Sequence, residues 1–141
     1  LVAIKNNKLK FLELGNLNVK RDWGFAGEYT QLFWKILQQK KPEEFVISTN
    51  ETHTIKEFVN EASKYCQFNL KWIGKGINER AIDTKTNRVI VKINKKFFRP
   101  TEVNYLKGNN KFIKKQLSWK PKYNFKKLVK IMMEFELSEH N

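Results

Sequence analysis

Two short segments concentrate the residue types that suit chemistry. Lys20-Arg21-Asp22-Trp23-Gly24 sets two cations, an anion and an indole side by side. Phe98-Arg99-Pro100-Thr101-Glu102 sets a guanidinium and a carboxylate three residues apart, across a proline that restricts the residue before it. Arg offers a planar fork of donors suited to a diphosphate. A Glu carboxylate accepts hydrogen bonds from sugar hydroxyls. Each segment also has a plainer explanation. Asp22 caps the helix that follows and Trp23 packs. Arg99 and Glu102 pair on the surface, where an ion pair is worth little. The functional version adds Arg21 as an anion ligand beside the positive end of that helix. Spacing alone does not say whether the two segments meet.

Other familiar chemistry is missing from the sequence. It has no Gly-x-Gly-x-x-Gly and no phosphate loop. His53 and His140 are the only histidines, and with the single Cys66 they assemble no zinc set. His53 stands just before a helix start and reads as a loop residue. Cys66 has no partner for an internal disulfide and reads as a small core residue, which fits a reducing compartment. The net charge of +14 invites a nucleic-acid reading, but all except four of the 28 cations are Lys. Lys is a poorer substitute for Arg in bidentate recognition, so the charge reads as a solvated surface and nucleic acid as an unlikely partner. No run approaches the ~18 apolar residues that span a bilayer, so no membrane partner is expected.

The elements that must position these residues follow from periodicity. Leu1–Ile4 reads as the end of a helix already under way, so the start resembles an interior position of a longer chain. Lys10–Leu14 alternates before Gly15-Asn16, predicting a short strand and a turn. From Phe25 to Gln39 the apolar positions Phe25, Ala26, Tyr29, Leu32, Phe33, Ile36 and Leu37 form one buried helix face, ended by Pro42. Phe45–Ser48 is β-rich and reads as a buried segment. Thr54 and Glu57 have capping-box spacing and open a helix toward Cys66. Leu70–Ile73 and Arg88–Ile93 read as strands, with Gly74–Arg88 a polar loop excursion between them. Arg99-Pro100 reads as extended and Glu102–Lys107 as a turn or short helix. Asn110–Leu117 is a helix, Ser118–Pro121 a connection, and Phe125–Leu137 an amphipathic helix with Phe125, Leu128, Val129, Met132, Met133 and Leu137 inward. Helices and short strands interleave in one domain over 1–141, which is α/β, with too few strands for a complete doubly wound sheet.

These segments carry a resemblance. Leu14-Gly15-Asn16-Leu17-Asn18-Val19-Lys20-Arg21-Asp22-Trp23-Gly24 is similar to the LGNLDAKRDWG segment of GDP-mannose 4,6-dehydratases. Leu37-Gln38-Gln39, Pro42–Ile47, Glu51–Val59, Gly74-Lys75-Gly76, Phe97–Val103 and Leu117–Pro121 resemble further blocks of that family, in order along essentially the whole chain. Phe25 stands where the family usually has His, Gly27-Glu28 where it has Lys-Asp, and Asn18 where it has Asp.

The resemblance implies the carboxy-terminal, substrate-binding lobe of an extended short-chain dehydrogenase/reductase, with the Rossmann lobe missing. In that family the absent lobe binds NADP and holds the catalytic set, so this chain carries no catalytic residue and is expected to be inactive alone. The implied reaction is that of a lyase: GDP-mannose to GDP-4-keto-6-deoxy-mannose and water, on the route to GDP-fucose. Carried over residue by residue, Arg21 and Arg99 would ligate the diphosphate and Glu102 the ribose hydroxyls. Leu12, Glu13 and Leu14 are weaker candidates, meeting the base through their backbone. The resemblance further implies a cytoplasmic protein that is a homo-oligomer at full length, with apolar surface exposed on this lobe by itself. A stand-alone GDP-sugar-binding remnant is the alternative.

Overall fold

The computed structural model describes residues 1–99 and 101–140. Among the described residues, five α-helices and seven strands run in the order α1 (Val2–Lys5), β1 (Leu12–Leu14), β2 (Lys20–Arg21), α2 (Ala26–Leu37), β3 (His53–Thr54), α3 (Ile55–Tyr65), β4 (Leu70–Ile73), β5 (Arg80–Asp83), β6 (Val89–Ile93), β7 (Tyr105–Leu106), α4 (Lys111–Leu117) and α5 (Phe125–Glu139). The α/β class stands.

The larger sheet has the order β1-β6-β5-β4, with β1 parallel to β6 and the other two pairings antiparallel. Its buried side chains, Ala81, Ile90 and Val91, meet Ile4 of α1 and Val59 of α3. On the far side of α3, Ala62 and Cys66 pack against Val129 and Met133 of α5. Burial in this core pushes the Cys66 thiol above its ordinary pKa.

Sequence chemistry explains where these helices begin. The Thr54 hydroxyl accepts from the Glu57 amide at 3.0 Å while the Glu57 carboxylate accepts from the Thr54 amide at 2.6 Å, the reciprocal box that the spacing predicted. That amide holds the Glu57 carboxyl below its usual range. Asn124 caps α5 through the Lys127 amide at 2.9 Å.

Several expectations are corrected. The excursion at Gly74–Arg88 contains strand β5, whose Ala81 and Asp83 point inward. A charged four-residue strand hides its alternation in a polar stretch. Glu102–Lys107 holds neither a helix nor only a turn: Tyr105 and Leu106 form β7, parallel to β2. Phe45–Ser48 pairs with no strand among the described residues. The buried face expected of α2 is only partly buried, since Leu32 is covered while Ala26, Phe33 and Leu37 are exposed. On α5, Met132 is exposed rather than inward. The extended reading of Arg99-Pro100 lies partly outside the described residues.

Candidate functional site

The smaller sheet, β3-β2-β7, brings the two chemistry-bearing segments together. Its central strand β2 runs antiparallel to β3 and parallel to β7, pairing Lys20 with Tyr105 and Arg21 with Leu106. That register sets Arg21 beside the chain that leaves the second segment. Arg21 Nη2 donates to Glu102 Oε1 at 3.2 Å, and Nη1 donates to the carbonyls of Val103 at 2.7 Å and Lys20 at 3.0 Å. Both side chains are partly buried, which screens the pair less than a surface pair. The expected Arg99–Glu102 surface pair is therefore replaced: Glu102 pairs with Arg21 across 81 residues of sequence.

Arg99 is exposed. The turn after β1 lies against the same stretch, because a Cβ at Gly15 would run into the Phe97 carbonyl. Among the weaker candidates, Glu13 is exposed while Leu12 and Leu14 are half-buried. Their strand β1 is the edge of the larger sheet, laddered to β6 on one side. Leu12 and Leu14 line an apolar groove of about 820 Å³ with Trp23 and Phe58, which Glu13, Arg21 and Glu102 do not line.

Asp22 does not cap α2. The helix begins after Phe25, with no side chain capping it. Instead the Asp22 carboxylate gathers two loops. Oδ1 accepts from the Thr49 amide at 2.8 Å and from the Thr49 hydroxyl; Oδ2 accepts from the amides of Asn50 at 3.0 Å and Gly108 at 3.4 Å. Gly108 is required there, since a Cβ would meet the Ser48 side chain. Nothing in the local sequence announces this role, because the partners sit 27 to 86 residues away. Glu28, buried on the first turn of α2, likewise accepts from the amides of Lys122 at 2.7 Å and Tyr123 at 3.3 Å. Burial, then Asp22 and Glu28, push the Tyr29 hydroxyl up to about 12. At the position where the resembled family has His, the Phe25 ring lies 4.5 Å from that of Tyr123.

His53 is not a loop residue. It sits in β3 with its ring stacked 3.9 Å from that of Phe125, between the carboxylates of Glu51 at 4.0 Å and Glu57 at 3.7 Å. Its Nε2 is buried without a hydrogen-bond partner among the described residues.

Chemically, the cluster offers an anion the Arg21 guanidinium and offers a diol the Glu102 carboxylate. Arg21 keeps its Nε donor and one Nη2 donor after its three contacts. Glu102 keeps one oxygen outside its pair with Arg21. Among the described residues no group of three or more His, Cys, Asp or Glu could hold a metal ion. Nor is any helix among them long and apolar enough to cross a membrane.

Comparison with known proteins gives a consistent family. The model of GDP-mannose 4,6 dehydratase matches residues 1–132. The chain is 42% identical to the GDP-mannose 4,6 dehydratase of Drosophila melanogaster over 97% of its length and 35% of that protein. It is 48% identical to that of Dictyostelium discoideum over 88% of its length and again 35% of that protein. It thus spans about a third of the relatives it matches. Among solved structures it resembles an NADPH complex of RMD from Pseudomonas aeruginosa, with a TM-score of 0.72 at 14% identity, over 97% of this chain and 39% of that one. It also resembles a dTDP-glucose 4,6-dehydratase from Bacillus anthracis bound to NAD, with a TM-score of 0.69 at 18% identity. At these identities the structures speak for the fold alone.

Proposed function

The chain belongs to the GDP-mannose 4,6 dehydratase family, and we propose that it supplies the part of such a lyase that grips GDP-mannose by its nucleotide diphosphate. Arg21 and Arg99 neutralise the diphosphate, Glu102 takes the ribose hydroxyls, and the backbone of Leu12–Leu14 meets the base. The observation that carries this reading is the 3.2 Å contact between Arg21 and Glu102, which joins two segments far apart in sequence into one cluster. A guanidinium clamped at one end by a carboxylate and two carbonyls is held still, so less side-chain entropy is lost when its free donors meet a ligand.

Dehydration of the sugar needs the hydride chemistry of NADP. The residues of this chain do not fit that cofactor: the sequence has no Gly-x-Gly-x-x-Gly, and none of the strand–loop–helix units among the described residues carries a glycine-rich phosphate turn. No catalytic step is therefore assigned to these residues, and the chain alone binds without turning over.

Titration calorimetry with GDP tests the reading. Saturable binding is expected, weakened at least tenfold by Arg99→Ala, because a charged hydrogen bond contributes about 1.5–3 kcal/mol. No heat with millimolar GDP, or equal affinity in the variant, would sink it. An affinity for duplex DNA that collapses with salt would instead favour a basic nucleic-acid surface.

A further inference from the structure

The loops held by the Asp22 and Glu28 carboxylates line one polar cavity. Its volume is about 470 Å³, within the range of small-molecule sites. One wall is Thr49-Asn50-Glu51, and the other is the connection Trp119–Asn124 that leads into α5. Arg21, Arg99 and Glu102 do not line it, so it is separate from the nucleotide cluster.

Both walls are fixed before any ligand arrives. Asn50 has a φ of 65°, a left-handed conformation that few residues other than Gly adopt, though Asn tolerates it. The Asp22 carboxylate holds it there through the Thr49 and Asn50 amides. Glu28 takes the Lys122 and Tyr123 amides, and the Trp119 ring packs with Leu32 and Ile113. Ser118, also left-handed at a φ of 49°, turns the chain out of α4 toward this second wall. Asn110, another lining residue, donates from Nδ2 to the Ser48 carbonyl at 3.0 Å and so is tied to the first wall. Unusual backbone persists only where the surroundings over-determine it, and such places cluster at ligand sites.

The charge in the cavity is one-sided. Lys114, Lys120 and Lys122 line it against a single carboxylate, Glu51. Lys56, Lys64 and Lys130 are ion-paired, whereas these three lysines have no carboxylate partner among the described residues. Three amines and one carboxylate leave two positive charges, which match the near-dianion of a phosphate monoester at neutral pH. Lys meets phosphate as a point charge on a flexible stem, without the planar geometry of an Arg fork. The other polar groups suit hydroxyls: Asn50 and Asn110 donate and accept, and Glu51 accepts. We propose that this cavity binds the phosphate monoester of a small sugar, independently of the GDP cluster.

Amide NMR of the 141-residue chain titrated with glucose 6-phosphate tests it. Saturable shifts are expected at Asn50, Trp119 and Lys122, unchanged by saturating GDP and by Arg99→Ala. Lys120→Gln with Lys122→Gln should weaken binding about tenfold, through lost charged hydrogen bonds, and leave the circular dichroism unchanged. Lys114→Gln, on the exposed side of α4, is the milder variant should that pair disturb the fold; it should weaken binding about threefold. Lys71→Gln with Lys85→Gln, exposed lysines outside the cavity, removes the same charge and should change nothing. Inorganic phosphate should shift the same amides with about tenfold lower affinity, since it brings no sugar hydroxyls. Shifts that do not saturate and spread over the exposed lysines would overturn the proposal. So would an equal loss in the Lys71 and Lys85 pair. Competition by GDP, or loss of binding in Arg99→Ala, would move the phosphate to the nucleotide cluster and overturn it as well. Equal affinity for inorganic phosphate would strike out the sugar. A chain that ignores GDP yet gives these shifts would break the nucleotide reading and leave this one standing, so the two fail separately.

Discussion

In the half of the molecule built on β1-β6-β5-β4, neighbouring strands pair over three or four positions, and Ala81, Ile90 and Val91 are fully buried beneath them. In the half built on α2 and β3-β2-β7, no strand exceeds two residues, and Phe33, Leu37, Tyr105 and Leu106 stand in solvent. The first half satisfies its backbone by ladders and its apolar surface by two facing helices. The second relies on single carboxylates, Asp22 and Glu28, to hold loops that no ladder reaches. A ladder distributes its loss over many bonds when one residue changes. A carboxylate tie concentrates it.

The contrast is tested most severely in the larger core. Ile90 of β6 is fully buried in the cluster with Ile4, Val59 and Ala81. Ile90→Ala should cost about 3–4 kcal/mol, from the lost transfer energy and the cavity left behind. Urea unfolding followed by far-ultraviolet dichroism measures it. A loss below about 1 kcal/mol would mean that this half is not the better packed one.

Asp22→Ala should come next, at about 2–3 kcal/mol, because charged hydrogen bonds are lost and partly buried amides are left without acceptors. The loss should appear locally: faster exchange at the Thr49 and Asn50 amides, with the β5 and β6 amides unchanged. Uniform acceleration across both sheets would erase the distinction between the halves.

This division also decides how much was legible in the sequence. Long amphipathic runs told of α3 and α5 correctly, because capping at Thr54 and the apolar period are local facts. Strand β5 is not legible there, because Arg80 and Asp83 give it the polarity of a loop. The two-residue strands are not legible either, because nothing local defines them: β2 exists only because residues 53–54 and 105–106 arrive beside it. The site was half legible. The residue types at Arg21, Arg99 and Glu102 drew attention by themselves, but the pairing of Arg21 with Glu102 and the tie made by Asp22 span 81 and up to 86 residues. For α2, the period was right and the burial was not, since periodicity reports which residues share a face and not what covers it.

The smallest expected effect places the same device in the better-laddered half. Asp83 is buried, and its carboxylate accepts from the amides of Asn69 at 2.8 Å and Thr86 at 3.2 Å and from the Thr86 hydroxyl at 2.7 Å. Burial alone would raise its pKa, but the hydrogen bonds from Thr86, Asn69 and Lys85 outweigh it and hold the carboxyl below its ordinary value. A depressed folded pKa contributes stability that is fully present above the unfolded value of about 3.9 and is lost as pH falls through the folded one. Wild-type stability should therefore decline on acidification below about pH 4, and Asp83→Asn should remove that part of the decline while costing about 1 kcal/mol at neutral pH. The cost should stay below that of Asp22→Ala. Here the flanking strands already pair, with the Asp83 amide donating to the Arg88 carbonyl at 2.9 Å and the Asn87 amide to the Asp83 carbonyl at 2.8 Å. Denaturant midpoints across pH 3 to 7 for both variants decide it. If Asp83→Asn proves the costlier, a carboxylate tie is no weaker point where ladders are absent than where they surround it.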